Sequence, residues 1–407
     1  MTMARPRRRS PQHEAAIARM RERQRSVRME AGLGRALFAS DQLAAGLKRA
    51  DARRRRSKVQ GTWVRSGFYR YPLATEPLRW ARTRRILRRS APGPDEDGGY
   101  LELIARQAAS VEMVLCGEHA GEARPKAAQL CERMLLCTLP TQRPAAHQRG
   151  EGDYYFVEVN AGLIDFAYQA TKAVVLAWKP VPPAPGALFA FRNESGDIDE
   201  VLAAGRAPLE LLRRTLSRYL FEGVPRVPDS RAPAVNYQAP LGLITSSNER
   251  FVVGHEYAHV LHDVHDIAYP GQGAQAEEFG ADLLSFGWLA ESGDALDCLP
   301  PNMALQGAFF VITALEVLRQ AQDIARFGQP RPDAGDGGHP PNHQRLAVLR
   351  EAYLRQVSRE DGDLSIRAAL APSRTLEQLW ARLQAEGGAA AWHGRPLHRI
   401  WEGAAAF

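Results

Sequence analysis

The chain has 407 residues, 45% hydrophobic and 24% charged, the balance of a globular protein long enough for roughly two or three domains. Four cysteines (Cys116, Cys131, Cys137, Cys298) are too few and too irregularly spaced for a disulfide scaffold or a cysteine-based zinc site, and read as reduced thiols of a cytosolic protein. The net charge of +7 is unevenly placed. Residues 1–90 carry 25 Lys+Arg against 6 Asp+Glu, and the rest carries 53−25 = 28 against 46−6 = 40.

From the N-terminus, "MTMARPRRRSPQHEAAIARMRERQRS" has the charge of a secretory leader but no apolar stretch behind it. The longest apolar run, Met303 to Leu318, falls short of the ~20 residues a membrane span needs and includes Glu316. A soluble protein without a membrane span is expected. The basic first 90 residues suggest an anionic partner, nucleic acid or an acidic protein. No zinc-finger, RRM or helix-turn-helix pattern accompanies them, and GC-rich coding explains much of the arginine.

Residues 11–58 read as basic helix and 99–137 as two amphipathic helices. A strand is expected over 154–159, followed by a turn at Asn160 to Gly162, and a second strand at 187–192. Helical periodicity covers 208–221, 246–264, 274–292, 302–327, 342–357 and 375–386. Pro/Gly-rich breaks divide the chain into four parts. These are a basic region (1–90), a helical segment (91–150), a core (151–357, with an insertion at 167–245) and a C-terminal helical segment (358–407).

The segment "VGHEYAHVLHDVHD" holds His255, His259, His262 and His265. Ser246 and Glu249 form a capping box, so a helix is expected to start there. His255 and His259 are four apart and share one face, where two imidazoles can converge on one ion. Glu256 beside them completes HExxH, the arrangement of a zinc-dependent protease.

Two third ligands compete. His265 gives the histidine spacing of the metzincins, but His262 then stands where those proteins need a glycine and a sharp break. The alternative is a carboxylate from the next helix, "AEEFGADLLSFGWLA". Glu278 has Asp282 four residues on, on the same face, to orient a ligand imidazole, and Gly280 and Ala281 allow close helix approach. Glu277 points about 100° away and has no such partner. Glu278 is the preferred ligand.

"HEYAH" followed by "EFGAD" resembles HExxH…ExxAD of the gluzincin metallopeptidases. "FVEVNAGLIDF" and "HPPNHQRL" resemble the NxGL strand and HPxxxxR segment of the branch containing CAAX prenyl proteases and heat-shock zinc proteases. The resemblance covers about a third of the chain. It departs from the branch in the roughly 90 residues between strand and HExxH, in the missing membrane helices and in residues 1–140. Soluble relatives with this core include phage-exclusion-type peptidases.

The resemblance implies an α+β fold with a zincin-like catalytic core, a small sheet, an active-site helix pair and helices elsewhere. It implies a zinc endopeptidase that hydrolyses peptide bonds of an intracellular protein. His255, His259 and Glu278 would hold Zn2+, Asp282 would stand behind them, and Glu256 would act as general base. His339 and Arg345 would stabilise the oxyanion; otherwise His339 caps a helix and Arg345 pairs with a carboxylate. Asn160 and Gly162 would shape an edge strand that pairs with substrate. A second reading is a nucleic-acid- or partner-binding regulator with a closed structural zinc site, to which His262 would supply the fourth ligand.

Overall fold

The computed structural model describes residues 10–30, 76–92, 98–117, 124–182, 190–227, 233–265, 273–292, 301–333, 335, 339–356 and 359–401. Among the described residues, four helices come first: α1 (Pro11–Glu30), α2 (Glu76–Ser90), α3 (Gly98–Leu115) and α4 (Arg124–Cys131). A sheet follows, built from β1 (Met134–Leu139), β2 (Ala146–Glu151) and β3 (Tyr154–Asn160) in the order β1-β3-β2. β1 runs parallel to β3, and β2 forms an antiparallel hairpin with it.

After α5 (Ala161–Leu176), β4 (Lys179–Val181) pairs with β5 (Ala190–Arg192). The rest is helical: α6 (Ser195–Ala204), α7 (Ala207–Glu222), α8 (Val235–His265), α9 (Ala274–Ser292), α10 (Pro301–Ala304), α11 (Gln306–Phe327), α12 (Asn342–Gln356) and α13 (Arg359–Ala385). The described chain is thus mostly helical with a small sheet. No described helix is long and apolar enough to cross a membrane.

The pleat explains the sheet's composition. Leu135, Cys137, Leu139 and Phe156 face α1, where Ala16, Ile17 and Met20 cover them. Met134, Leu136, Val157 and Val159 face the opposite way, onto α3 and α8. With both faces buried, "MLLCTL" has no polar side to show, and it becomes strand β1 although its apolar run reads as the end of a helix.

Several other expectations need correction. β3 is the central strand, paired on both sides, so it is not an edge. No turn follows it: α5 starts at Ala161. The break expected at 150/151 falls inside the β2–β3 hairpin, and the described residues of the 167–245 insertion share a core with later helices. Their Ala170, Val174, Trp178, Leu212, Leu216 and Tyr219 pack in the largest core with Phe310 of α11 and Trp380 of α13.

Ser246 does not cap α8, which starts eleven residues earlier and contains Pro240; the Ser246 hydroxyl instead accepts a hydrogen bond from Gln107 of α3. Helix α9 matches the expected 274–292, α12 matches the expected helix up to Gln356, beyond which 357 lies outside the described residues, and α13 extends well upstream of 375. Of the basic helix expected over 11–58, residues 31–58 lie outside the described residues, as do 187–189 of the second strand.

Candidate metal centre

Helices α8 and α9 pack side by side. They approach closely at Gly254, where a Cβ would lie 2.5 Å from the Ser285 hydroxyl, which itself donates to the carbonyl of Phe251 at 2.7 Å. This contact sits one residue before His255 and brings the second helix within reach of the imidazoles. In α9 the buried positions Glu278, Ala281, Asp282, Ser285, Phe286 and Leu289 follow helical spacing, so Glu278 and Asp282 face α8 while Glu277 is exposed.

His255, His259 and Glu278 converge, with one potential ligand atom from each lying within 4.8 Å of the others. The two Nε2 atoms are 3.1 Å apart. Glu278 Oε2 lies 3.3 Å from His255 Nε2, and Oε1 lies 3.2 Å from His259 Nε2. The group could hold a metal ion. Glu278 Oε2 is buried without a hydrogen-bond partner, although its neighbours are good donors.

Behind the cluster, Asp282 Oδ1 lies 3.0 Å from His255 Nδ1, without the alignment of a good hydrogen bond. Asp282 is fully buried and gripped by both arms of the Arg345 guanidinium, at 2.7 Å each. Burial alone would lower the His255 pKa, but Asp282 and Glu278 outweigh it and raise it to about 10. Burial opposes ionisation of Glu278 too, yet the two imidazoles hold its carboxyl well below the ordinary range.

Glu256 is buried beside the ligands, and burial pushes its carboxyl upward against the nearby histidines. His339 stands at the rim, its half-exposed imidazole 3.6 Å from Glu278 Oε1.

No family model, curated protein or solved structure matches the chain.

The remaining sequence candidates fall apart from this group. Arg345 does not face an open site: its guanidinium is committed to Asp282, the alternative noted from the sequence. Asn160 is 2% exposed, and a Cβ on Gly162 would lie 2.1 Å from the carbonyl oxygen of Gln142. The Gly162 amide donates to Thr141 at 3.1 Å. Both residues lie under the segment linking β1 to β2, so neither offers backbone to an incoming strand.

Helix α8 runs unbroken to His265, which removes the sharp break a metzincin-type ligand would require. His262 is buried one turn beyond His259, with ring centroids 6.5 Å apart, and burial lowers its pKa. It is not part of the converging group.

A buried polar network on the opposite side of α8 was not visible in the sequence. Glu112 of α3 accepts from Arg89 at 2.5 Å and from the Tyr257 hydroxyl at 3.1 Å, and pairs with Arg82 at 3.4 Å. The one hint was a glutamate inside an otherwise apolar helical face, which gives no indication of its partners.

Proposed function

We propose that the protein is a zinc-dependent endopeptidase of the gluzincin type, acting on a protein substrate inside the cell. The observation that carries this reading is the convergence of His255, His259 and Glu278 on one point, with Glu256 adjacent and one buried carboxylate oxygen left without a partner. Tetrahedral bonds of about 2.0–2.1 Å imply ligand–ligand edges of about 3.3 Å. The 3.1 Å between the two Nε2 atoms is close to such an edge, and each imidazole has one of the two Glu278 oxygens at 3.2–3.3 Å, so a small shift of the carboxylate brings one oxygen to both. Two imidazoles and a carboxylate are also the donor set of a catalytic site that keeps one position open.

A zinc ion held there would lower the pKa of a water molecule toward ~7 and polarise the scissile carbonyl. The protein supplies the rest. Glu256 takes the proton of the attacking water and passes it to the leaving amine. With the His255 ring turned slightly, Asp282 would accept from Nδ1 and fix its tautomer and orientation, and Arg345 holds Asp282 ionised in its buried place. In this reading His339, 3.6 Å from Glu278 at the rim, donates to the oxyanion.

Among the described residues β2 is paired on one side only, and its Gln148 donates to Asp263 of α8 at 3.0 Å, one turn past His259. An extended substrate therefore pairs with β2 in this reading, not with β3.

A closed structural site is disfavoured because His262 lies outside the converging group. The basic N-terminal region remains a candidate for an anionic partner, although Arg19 and Arg23 pair within the chain with Glu151 and Glu158.

Glu256→Gln tests the proposal. The variant should bind zinc in the same proportion as the parent, while cleavage falls by about 10²–10⁴-fold. Cleavage is read by mapping new peptide termini in a treated lysate, with and without chelator. Undiminished cleavage by the variant would refute the assigned base.

A further inference from the structure

Away from the metal centre, two thiols meet at the ends of α3 and α4. Cys116 follows the last turn of α3 and is half-buried; Cys131 closes α4 and is buried. Their sulfur atoms are 3.9 Å apart, within hydrogen-bonding distance for thiols, and both are unbridged. We propose that Cys116 and Cys131 form a redox-active dithiol, with a hydroperoxide as its oxidising substrate.

Three features separate this pair from two cysteines that merely pack together. The first is asymmetry of access: solvent reaches Cys116, whereas Cys131 stands behind it as the second thiol. The second is charge. The hydrogen bond from Cys131 favours the Cys116 thiolate; burial opposes it, and the Arg82 guanidinium adds to the favourable side. The result is a thiol titrating at about 6, while the hydrogen bond to Cys116 and burial push Cys131 upward. The third is that Arg82 is held in place, since it also pairs with the buried Glu112, which Arg89 and Tyr257 anchor from other helices. Low-pKa, accessible thiols with a resolving partner are the ones that peroxides oxidise selectively.

The chemistry balances with the peroxide as sole oxidant. The Cys116 thiolate attacks one peroxide oxygen; the O–O bond breaks, an S–O bond forms, and the departing alkoxide or hydroxide takes up a proton. The Cys131 sulfur, giving up its proton, then attacks the sulfenic sulfur. An S–S bond forms and hydroxide leaves as water. Two sulfurs lose one electron each, and the peroxide gains two. The sulfurs must close from 3.9 Å to about 2.05 Å, which the end position of Cys116, beyond the last turn of α3, allows.

The test uses the full-length protein, stoichiometric hydrogen peroxide, thiol titration and non-reducing peptide mapping. The titre should fall from four thiols to two, with a Cys116–Cys131 crosslink reversed by dithiothreitol. In Cys131→Ala, a dimedone-reactive sulfenic acid should persist at Cys116. Its alkylation midpoint should also rise from about 6 toward the ordinary ~8.5, slowing trapping at neutral pH roughly two- to tenfold. In Cys116→Ser, the conservative variant at the more exposed position, Cys131 should stay reduced. A titre that stays at four, a crosslink through Cys137 or Cys298, or oxidation of Cys131 without Cys116 would overturn the proposal.

Discussion

Replacing Arg345 by Met is the most direct probe of how the metal centre is supported. Asp282 is fully buried and receives two hydrogen bonds of 2.7 Å from the guanidinium, leaving His255 as its other polar neighbour. Removing the guanidinium leaves the carboxylate in a dry place with only the poorly aligned His255 imidazole to offset its charge, and losing one partner of a buried pair costs about 3–5 kcal/mol. Removing both charges, in Asp282→Asn with Arg345→Met, abolishes the penalty at its source. The double variant should recover at least ~2 kcal/mol of the loss, a coupling of the size found for residues in direct contact.

The assay is urea denaturation of the four proteins with chelator present, so that metal binding does not enter the comparison. Zinc affinity measured separately should fall about 10–100-fold in Asp282→Asn, because the His255 ring loses the group that orients it. A cost below ~1 kcal/mol for Arg345→Met, or additive effects in the double variant, would show that the ion pair does not support the site as argued.

Glu278→Ala should abolish stoichiometric zinc binding while Glu277→Ala leaves it intact, measured by metal content after dialysis; equal effects would refute the choice of carboxylate. Glu249 gives a pH prediction remote from the ligands. Burial raises its carboxyl to about 8, against ~4.3 in an unfolded chain, so between those values the fold keeps a proton that the unfolded chain has lost. Stability therefore falls as pH rises through that window, and Glu249→Gln should remove up to about 5 kcal/mol of the decline, at about 1.4 kcal/mol per pH unit; parallel pH profiles for the two proteins would contradict it. Gly162→Ala should destabilise by about 1–3 kcal/mol in thermal or urea melts, because the Gln142 backbone must move to admit the methyl group.

The convergence of His255, His259 and Glu278 was legible because its signal is local. His255 and His259 are one turn apart on one helix, and the Glu278/Asp282 pair repeats that spacing on the next, so face periodicity alone separates Glu278 from Glu277. What failed depends on neighbours distant in sequence. β1 reads as helix because α1 and the α3/α8 pair bury both its faces, erasing the alternation that marks a half-exposed strand. The Ser246/Glu249 pattern imitates a capping box, yet Gln107 takes up both side chains and the helix continues upstream. Asn160 and Gly162 were read as substrate-facing. The glycine instead admits a crossing backbone segment, a requirement that comes from tertiary packing and leaves no pattern around it.

Helix α8 contributes Leu241 and Ile244 to one apolar cluster, Val253, Tyr257 and Val260 to a second, and Phe251 to a third. A helix gripped by three separate cores has no cheap partial opening, since releasing it from any one leaves it fastened by the others. Amide protons around His255 and His259 should therefore exchange with deuterium only as the whole molecule unfolds, even where the imidazoles touch solvent. A group mounted this way would meet an incoming ion with its side chains already in place, with almost no ordering left to do at the moment of capture.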